Sequence, residues 1–440
     1  MKRVYIETYG CQMNVADTEL ILGGLGREGY EVTEDPAAAD VMLVNTCAVR
    51  DNAEQRVIGR MGELKRHKRP GVVLGIVGCM AQRLGTRLLD GAPHVDLVVG
   101  PDGYRGLPEL IAGAADGRRA ADVEFKSWEH YEDIPAERTG ERVGAFVTVQ
   151  RGCDYRCTFC IVPMTRGRER SRNLTDVVRE VENLAAGGTT EVTLLGQTVN
   201  SYRDGEHDFA DLLEVVGEVA GISRVRFTSP YPNDFSPRVV EAMARVESVC
   251  EHVHLPVQSG SSAILKRMGR RYTREQYFEC VERLRSAVPD LAITTDIIVG
   301  FPGETEEDFL QTESLVREVG FDDAFTFRYS PREGTGALQL PDPVPEGVAG
   351  ERLERIIAVV RDVARRKNIR LVGTTQEVLV EKVSRRGRLL QSRTRTNKIV
   401  LLEGPPEWIG SYHTVRISGT TGATFTGVPA QTGRELAIVG

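Results

Sequence analysis

Short apolar, β-branched runs alternate with amphipathic stretches through the first hundred residues. Runs at Val4–Thr8, Val41–Asn45, Val72–Val77 and Val95–Val98 read as strands. Between them, stretches near Asp17–Arg27, Asn52–Arg66 and Met80–Leu89 carry apolar residues at helical spacing. This rhythm predicts an α/β domain over 1–115 built on a doubly wound parallel sheet. Polar residues dominate 116–142, the pattern of a linker. From Ala145 the rhythm restarts, with strands at Ala145–Gln150, Glu191–Leu195, Arg224–Thr228, His252–Val257, Leu291–Val299 and Ala324–Tyr329. Six strand-helix units without a seventh and eighth predict a partial (β/α)6 barrel, with its reactive end at the strand C-termini by analogy with full barrels. A Pro/Gly-rich break at 331–350 and a basic helix at about Glu351–Leu371 close this domain, taken as 143–372. Short strands at Glu377–Val383, Lys398–Leu402 and Thr414–Ser418 then predict a small β-barrel over 373–440.

Three domains suit 440 residues at roughly 150 per domain. A chain that is 41% hydrophobic and 27% charged is an ordinary globular one, which excludes a fibrous or disordered class. No run reaches the ~18 apolar residues of a membrane span, and Glu7 interrupts any signal-peptide core. The chain is therefore expected in the cytoplasm, without a membrane partner and as a monomer. A net charge of -7 argues against RNA only if it is spread evenly. From Glu351 onward, however, sixteen Lys and Arg face eight Asp and Glu, and a basic tail on an acidic body points to a polyanionic partner.

Eight cysteines in a reducing compartment are expected as metal ligands before bridges. Cys153, Cys157 and Cys160 fall in the loop after the first strand of the second domain. Three thiolates there can hold a four-iron cluster and leave one iron open for a substrate. A zinc site closed by a distant fourth ligand is the alternative. Cys11, Cys47 and Cys79 each follow a strand of the first domain, about one strand-helix period apart, at the edge where doubly wound sheets bind ligands. They are expected to converge on a second cluster. Cys250 and Cys280 are expected to be core residues. Gly24-Leu25-Gly26-Arg27-Glu28-Gly29 satisfies a dinucleotide pattern but falls within a helical stretch, with Gly29 as its cap, and is set aside.

The Cys-x3-Cys-x2-Cys motif with Phe159 before its last cysteine resembles the radical S-adenosylmethionine (SAM) enzymes. Thr8-Tyr9-Gly10-Cys11-Gln12-Met13-Asn14, Asn45-Thr46-Cys47, Gly78-Cys79-Met80-Ala81-Gln82 and Pro163-Met164-Thr165-Arg166-Gly167-Arg168 resemble the methylthiotransferases of that superfamily, over nearly the whole chain. The resemblance implies two 4Fe-4S clusters. One would sit on Cys153, Cys157 and Cys160 and cleave SAM to a radical; the other, on Cys11, Cys47 and Cys79, would carry the sulfur that is methylated and inserted. It further implies Phe159 near the adenine of SAM. Gly196, Gln197, Gln258, Ser259, Asp296 and Gly300, at three further strand ends, are expected to cradle SAM, since glycine admits a ligand closely and Gln or Ser can bond it. The bland alternative at each is a tight turn, and Thr305 to Asp308 reads as a helix cap.

The implied substrate is N6-isopentenyladenosine in the anticodon arm of tRNA, 2-methylthiolated with the help of an unidentified electron donor protein and sulfur donor. Relatives that modify a ribosomal-protein aspartate usually read Gly-Cys-Pro-Lys-Asn where this chain has Gly10-Cys11-Gln12-Met13-Asn14, and a relative acting on threonylcarbamoyl-adenosine stays open. A non-catalytic RNA-binding iron-sulfur or zinc protein is the reading from another class. The tail resembles a TRAM domain, and Arg385, Arg386, Arg388, Arg393, Arg395 and Lys398 are expected to bind RNA phosphates, with Trp408 and Tyr412 available to unstacked bases. Arg166, Arg168, Arg170 and Arg172 could hold phosphates beside the reactive loop or pair with acids; Arg166 and Arg168 are carried forward as RNA contacts.

Overall fold

The computed structural model describes residues 1–48, 51–134, 136–138, 143–385 and 387–430, with side chains of 51–55 left aside. Six parallel strands form the N-terminal sheet: β1 (Lys2–Tyr9), β2 (Tyr30–Val32), β3 (Val41–Thr46), β4 (Val73–Gly78), β5 (Leu97–Val99) and β6 (Ala120–Asp122). Their spatial order is β2-β1-β3-β4-β5-β6. The central strands β3 and β4 are buried at every position, as parallel strands covered by helices on both faces must be. The expected linker is part of this fold. β6 pairs with β5, and Glu129 and Tyr131 are buried.

The second domain repeats the strand-helix unit six times: β7 (Gly144–Thr148), β8 (Glu191–Leu195), β9 (Arg224–Phe227), β10 (His252–His254), β11 (Ala292–Val299) and β12 (Asp323–Arg328). They form two three-stranded parallel sheets joined by a bridge between Val225 and Val249, which gives the open partial barrel. The helix Glu306–Val319 opens on a Thr305–Asp308 capping box, as expected. The basic helix spans Glu346–Ile369 and packs against β12. Beyond it, β13 (Thr375–Val383), β14 (Leu390–Thr394), β15 (Ile399–Leu402), β16 (Tyr412–Thr420) and β17 (Phe425–Pro429) close a barrel.

The small barrel docks on the N-terminal end of the large one. Arg224 and Arg226, buried at the start of β9, donate to the main-chain carbonyls of Arg393, Thr394 and Arg395 at 2.8–2.9 Å. Lys398 pairs with buried Asp322 at 2.8 Å, Arg395 with Glu251 at 2.7 Å, and the Tyr412 hydroxyl lies 3.1 Å from Thr190 Oγ1. Replacement of Arg226 by alanine removes the donor to the Arg395 carbonyl, one of the two donors to the Thr394 carbonyl, and the 3.1 Å partner of Glu191, a loss of roughly 3–5 kcal/mol. Calorimetry of Arg226→Ala should show the C-terminal barrel melting as a separate, earlier transition; a single unshifted transition would contradict this docking.

Candidate active site

Three strands of the N-terminal sheet bring their cysteines to one edge. Cys11 stands at the N-terminus of the helix Gln12–Arg27, Cys47 follows β3, and Cys79 opens the helix Cys79–Leu84. β1 has β2 on one side and β3 on the other, so the sheet changes winding direction between Cys11 and Cys47, where such sheets form a ligand crevice. Two fully buried asparagines hold the loops. The Asn14 amide donates to Asn45 Oδ1 at 3.0 Å, and the Asn45 amide donates to the Asn14 carbonyl and Thr18 Oγ1 at 2.8 and 2.9 Å. Gly10 and Gly78 have positive φ, and a β-carbon at either would stand within 2.4 Å of an asparagine oxygen. That is why glycine precedes two of the three cysteines. The Cys47 thiol beside it and then the Arg166 guanidinium hold the exposed Cys11 thiol well below its ordinary value, against partial desolvation. Burial pushes Cys79 up.

The other three cysteines lie in the loop after β7, at the C-terminal end of the barrel as expected. Cys153 donates its N–H to Gly167 O at 3.2 Å, and Thr158 is tied to the helix Ser262–Arg267 and its exit by bonds to Arg267 O and Met268 O. Burial, then the neighbouring Cys157, pushes Cys153 up to about 11 and Cys160 up to about 12. Half-buried Arg270, its guanidinium 4.3 Å from the Tyr231 ring centroid, donates to Cys157 Sγ at 3.4 Å.

The two cysteine sets face each other across a domain boundary. Ile161, next to Cys160, packs against Cys79 and Ala48. Asp17, fully buried on the first helix, receives Arg151 at 3.1 Å and Arg166 at 2.6 Å, the guanidiniums on either side of the cysteine loop. Arg170 reaches across in the same way to Asp102 at 2.9 Å.

These pairings correct several expectations. Arg166 is 3% exposed and makes no surface for RNA; Arg168 pairs with Asp154 yet is 77% exposed. Arg172 pairs with Glu180. In the tail, Arg393 pairs with Glu381, while Arg395 and Lys398 are docking residues, because a cation facing a nearby acid in a desolvated interface is neutralised there. Tyr412 lies in the same interface, and Trp408 stacks on His413 at 4.1 Å. Arg385 and Arg388 are exposed; Arg386 lies outside the described residues.

The expected SAM cradle divides likewise. Gln197 Oε1 is buried without a partner, as is the Tyr329 hydroxyl, and Phe159 meets Phe301 edge-on in the apolar cluster that includes Tyr329. Asp296 is half-buried, 3.4 Å from His254 Nε2. The Gln258 main chain bonds to β11 on both sides, through Asp296 O and the Ile298 N–H. Gly196 backs tightly onto Gln150 and Val199. Ser259 and Gly300 are corrected to structural roles. Ser259 is fully buried, with its hydroxyl against Thr312 and the Ser261 N–H. Gly300 makes a turn against Ala349 and donates to Glu304 Oε1 at 2.9 Å. Cys250 and Cys280 are core residues, as expected. Cavities of about 680 and 1340 Å3 open at the opposite end of the barrel, beside the C-terminal domain, away from the cysteines.

Comparison with known proteins accounts for this arrangement. Residues 3–100 match the family model described as "Uncharacterized protein family UPF0004", 147–316 the Radical SAM superfamily, and 370–428 the TRAM domain. The tRNA-2-methylthio-N(6)-dimethylallyladenosine synthase of Bacteroides thetaiotaomicron is 47% identical over 97% of this chain and 96% of its own. That of Geobacter metallireducens is 47% identical over 95% and 96%. The chain belongs to this synthase family. It is a radical SAM enzyme. Among solved structures, the radical SAM methyltransferase TsrM of Kitasatospora setae shares the fold at 16% identity, with a TM-score of 0.58 over 77% of each chain. OxsB, a cobalamin-dependent radical SAM enzyme, does so at 11% identity and 0.53, over 82% of this chain and 56% of its own.

Synthases of this superfamily use a 4Fe-4S cluster and SAM, and the residues present suit both. Among the described residues no three His, Cys, Asp or Glu side chains close on a single ion. The fit rests instead on donor chemistry: three buried or half-buried thiols whose protons a metal would replace, beside two unpartnered polar atoms and an aromatic wall. In cluster-free protein at neutral pH, the lowered Cys11 thiol is largely thiolate, whereas Cys153, raised to about 11, and Cys160, raised to about 12, stay protonated. Timed iodoacetamide labelling read by mass spectrometry should therefore modify Cys11 first; labelling of Cys160 before Cys11 would contradict the electrostatics described above.

Proposed function

We propose that this chain is a tRNA methylthiotransferase, converting N6-isopentenyladenosine next to the anticodon into its 2-methylthio derivative in the cytoplasm. What carries the reading is the meeting of two three-cysteine sets across one boundary, in a chain 47% identical over its length to synthases named for that product. Clusters on both sets together with SAM would supply the radical and sulfur-transfer chemistry that an unreactive adenine C2–H bond requires. Cys11, Cys47 and Cys79 hold the sulfur-carrying side, and Cys153, Cys157 and Cys160 the SAM-cleaving side. Gln197 and the Tyr329 hydroxyl bind the polar edge of SAM beside Phe159, and the Asp17 clasp keeps both sides in register. Arg168, Arg385 and Arg388, the expected RNA contacts that remain exposed, meet tRNA phosphates, so affinity falls with salt. Among the described residues no helix is long and apolar enough to cross a membrane.

Nucleoside mass spectrometry of tRNA from cells lacking the protein should show 2-methylthio-isopentenyladenosine replaced by isopentenyladenosine. If that product persists while a threonylcarbamoyl-adenosine derivative is lost, the substrate assignment fails. With purified protein, Cys157→Ala is expected to abolish SAM cleavage to below about a hundredth of the parent rate, roughly 2.7 kcal/mol or more in barrier height. Folded Cys11→Ala should retain cleavage but form no methylthio product. Complete loss of cleavage in Cys11→Ala would remove the division of labour.

A further inference from the structure

Each cysteine set has one thiol facing an arginine, buried Arg166 or half-buried Arg270, and both arginines come from the barrel domain. Arg270 Nη1 donates to Cys157 Sγ at 3.4 Å, and Arg166 Nε donates to Cys79 Sγ at 3.2 Å. Neither guanidinium is free to turn. Arg270 is held by the Tyr272 hydroxyl at 2.9 Å, by the Pro256 carbonyl at 3.3 Å and by the Tyr231 ring. Arg166 donates from Nη1 to Asp17 Oδ1 at 3.2 Å and has Nη2 in ion-pair contact with Oδ2 at 2.6 Å, which aims Nε at the sulfur. Arg166 is thus the one of the two that crosses the boundary, since Cys79 belongs to the N-terminal domain and Arg166 ends the short helix Val162–Arg166 that follows Cys160.

We propose that Arg166 is a positioning residue that sets the reduction potential of the N-terminal cysteine site by hydrogen bonding to Cys79. The proposal rests on the reading that Cys11, Cys47 and Cys79 hold a cluster. The physical ground is that an N–H aimed at a cysteine sulfur stabilises negative charge on it, favours the more negative, reduced state and raises the potential. A guanidinium does this in fixed geometry because its planar fork is locked by the carboxylate at its other end. The N-terminal site is in this sense completed by its neighbour, and its potential depends on the two domains being docked.

The test uses the full chain with Cys153, Cys157 and Cys160 all changed to alanine, so that only the N-terminal site can hold iron. After anaerobic reconstitution with iron and sulfide, iron content is measured and the potential is followed by redox titration with electron paramagnetic resonance. Absence of a cluster in this parent would sink the underlying reading and would be recognised before any Arg166 variant is made. With the cluster present, Arg166→Gln is expected to shift the potential to more negative values and change the resonance line shape. Arg151→Gln, which removes the other guanidinium from Asp17 without touching Cys79, should shift the potential by clearly less than Arg166→Gln does. If Arg166→Gln alone loses iron, Arg166→Lys decides: recovered iron with a shifted potential supports the proposal, and continued loss of iron overturns it. An unshifted potential in iron-replete Arg166→Gln, or an equal shift or equal loss of iron in Arg151→Gln, also overturns it.

Discussion

One buried carboxylate holds the chemistry together. Asp17 sits on the first helix of the N-terminal domain and faces Arg151 and Arg166, the residues that bracket the cysteine loop of the barrel. A carboxylate with no solvent contact is tolerable only when it is paired, and removal of one partner from such a pair typically costs about 3–5 kcal/mol. The pairing that Asp17 requires therefore keeps two domains in one orientation. The contact of Ile161 with Cys79, and with it the approach of one cysteine set to the other, follows from that orientation. Asp102 with Arg170 repeats the device nearby, so the boundary is held at two points and cannot simply swivel.

The overall fold was legible in the sequence wherever its signal was local. Continuous apolar runs marked β3 and β4 because parallel strands buried on both faces have no polar side. Cysteines at strand ends were legible because strand ends were. The misses share a different cause. β2 and β6 are three-residue edge strands, partly exposed and without an apolar pattern, and β6 was hidden inside a stretch whose polarity suggested a linker. In the small barrel, β14 turns Ser392 and Thr394 inward, and the Ser392 hydroxyl bonds to Val400 O, so its buried face does not look apolar.

Charge was the least readable property. A sequence shows that Arg166 or Lys398 is cationic but not that Asp17 or Asp322 will meet it from a distant part of the chain. Composition correctly located a basic tail, yet much of that charge joins domains instead of facing solvent. The two asparagines carried a signal that could have been used: Asn14 and Asn45 each lie within three residues of a cysteine, and their mutual bond is what brings Cys11 and Cys47 together. The glycines at 10 and 78 belong to the same device, since both lie against it.

The docking of the small barrel has a geometric consequence. It is bolted by Arg224, Arg226, Lys398 and Arg395 to the end of the large barrel opposite the cysteines. β11, eight residues long, runs nearly the whole distance between those ends, and at about 3.3 Å per residue that is roughly 26 Å. The large barrel therefore acts as a caliper with fixed jaws. A partner seated on the C-terminal domain would stand one barrel-length from the cysteines, so its own shape would decide which part of it could reach them.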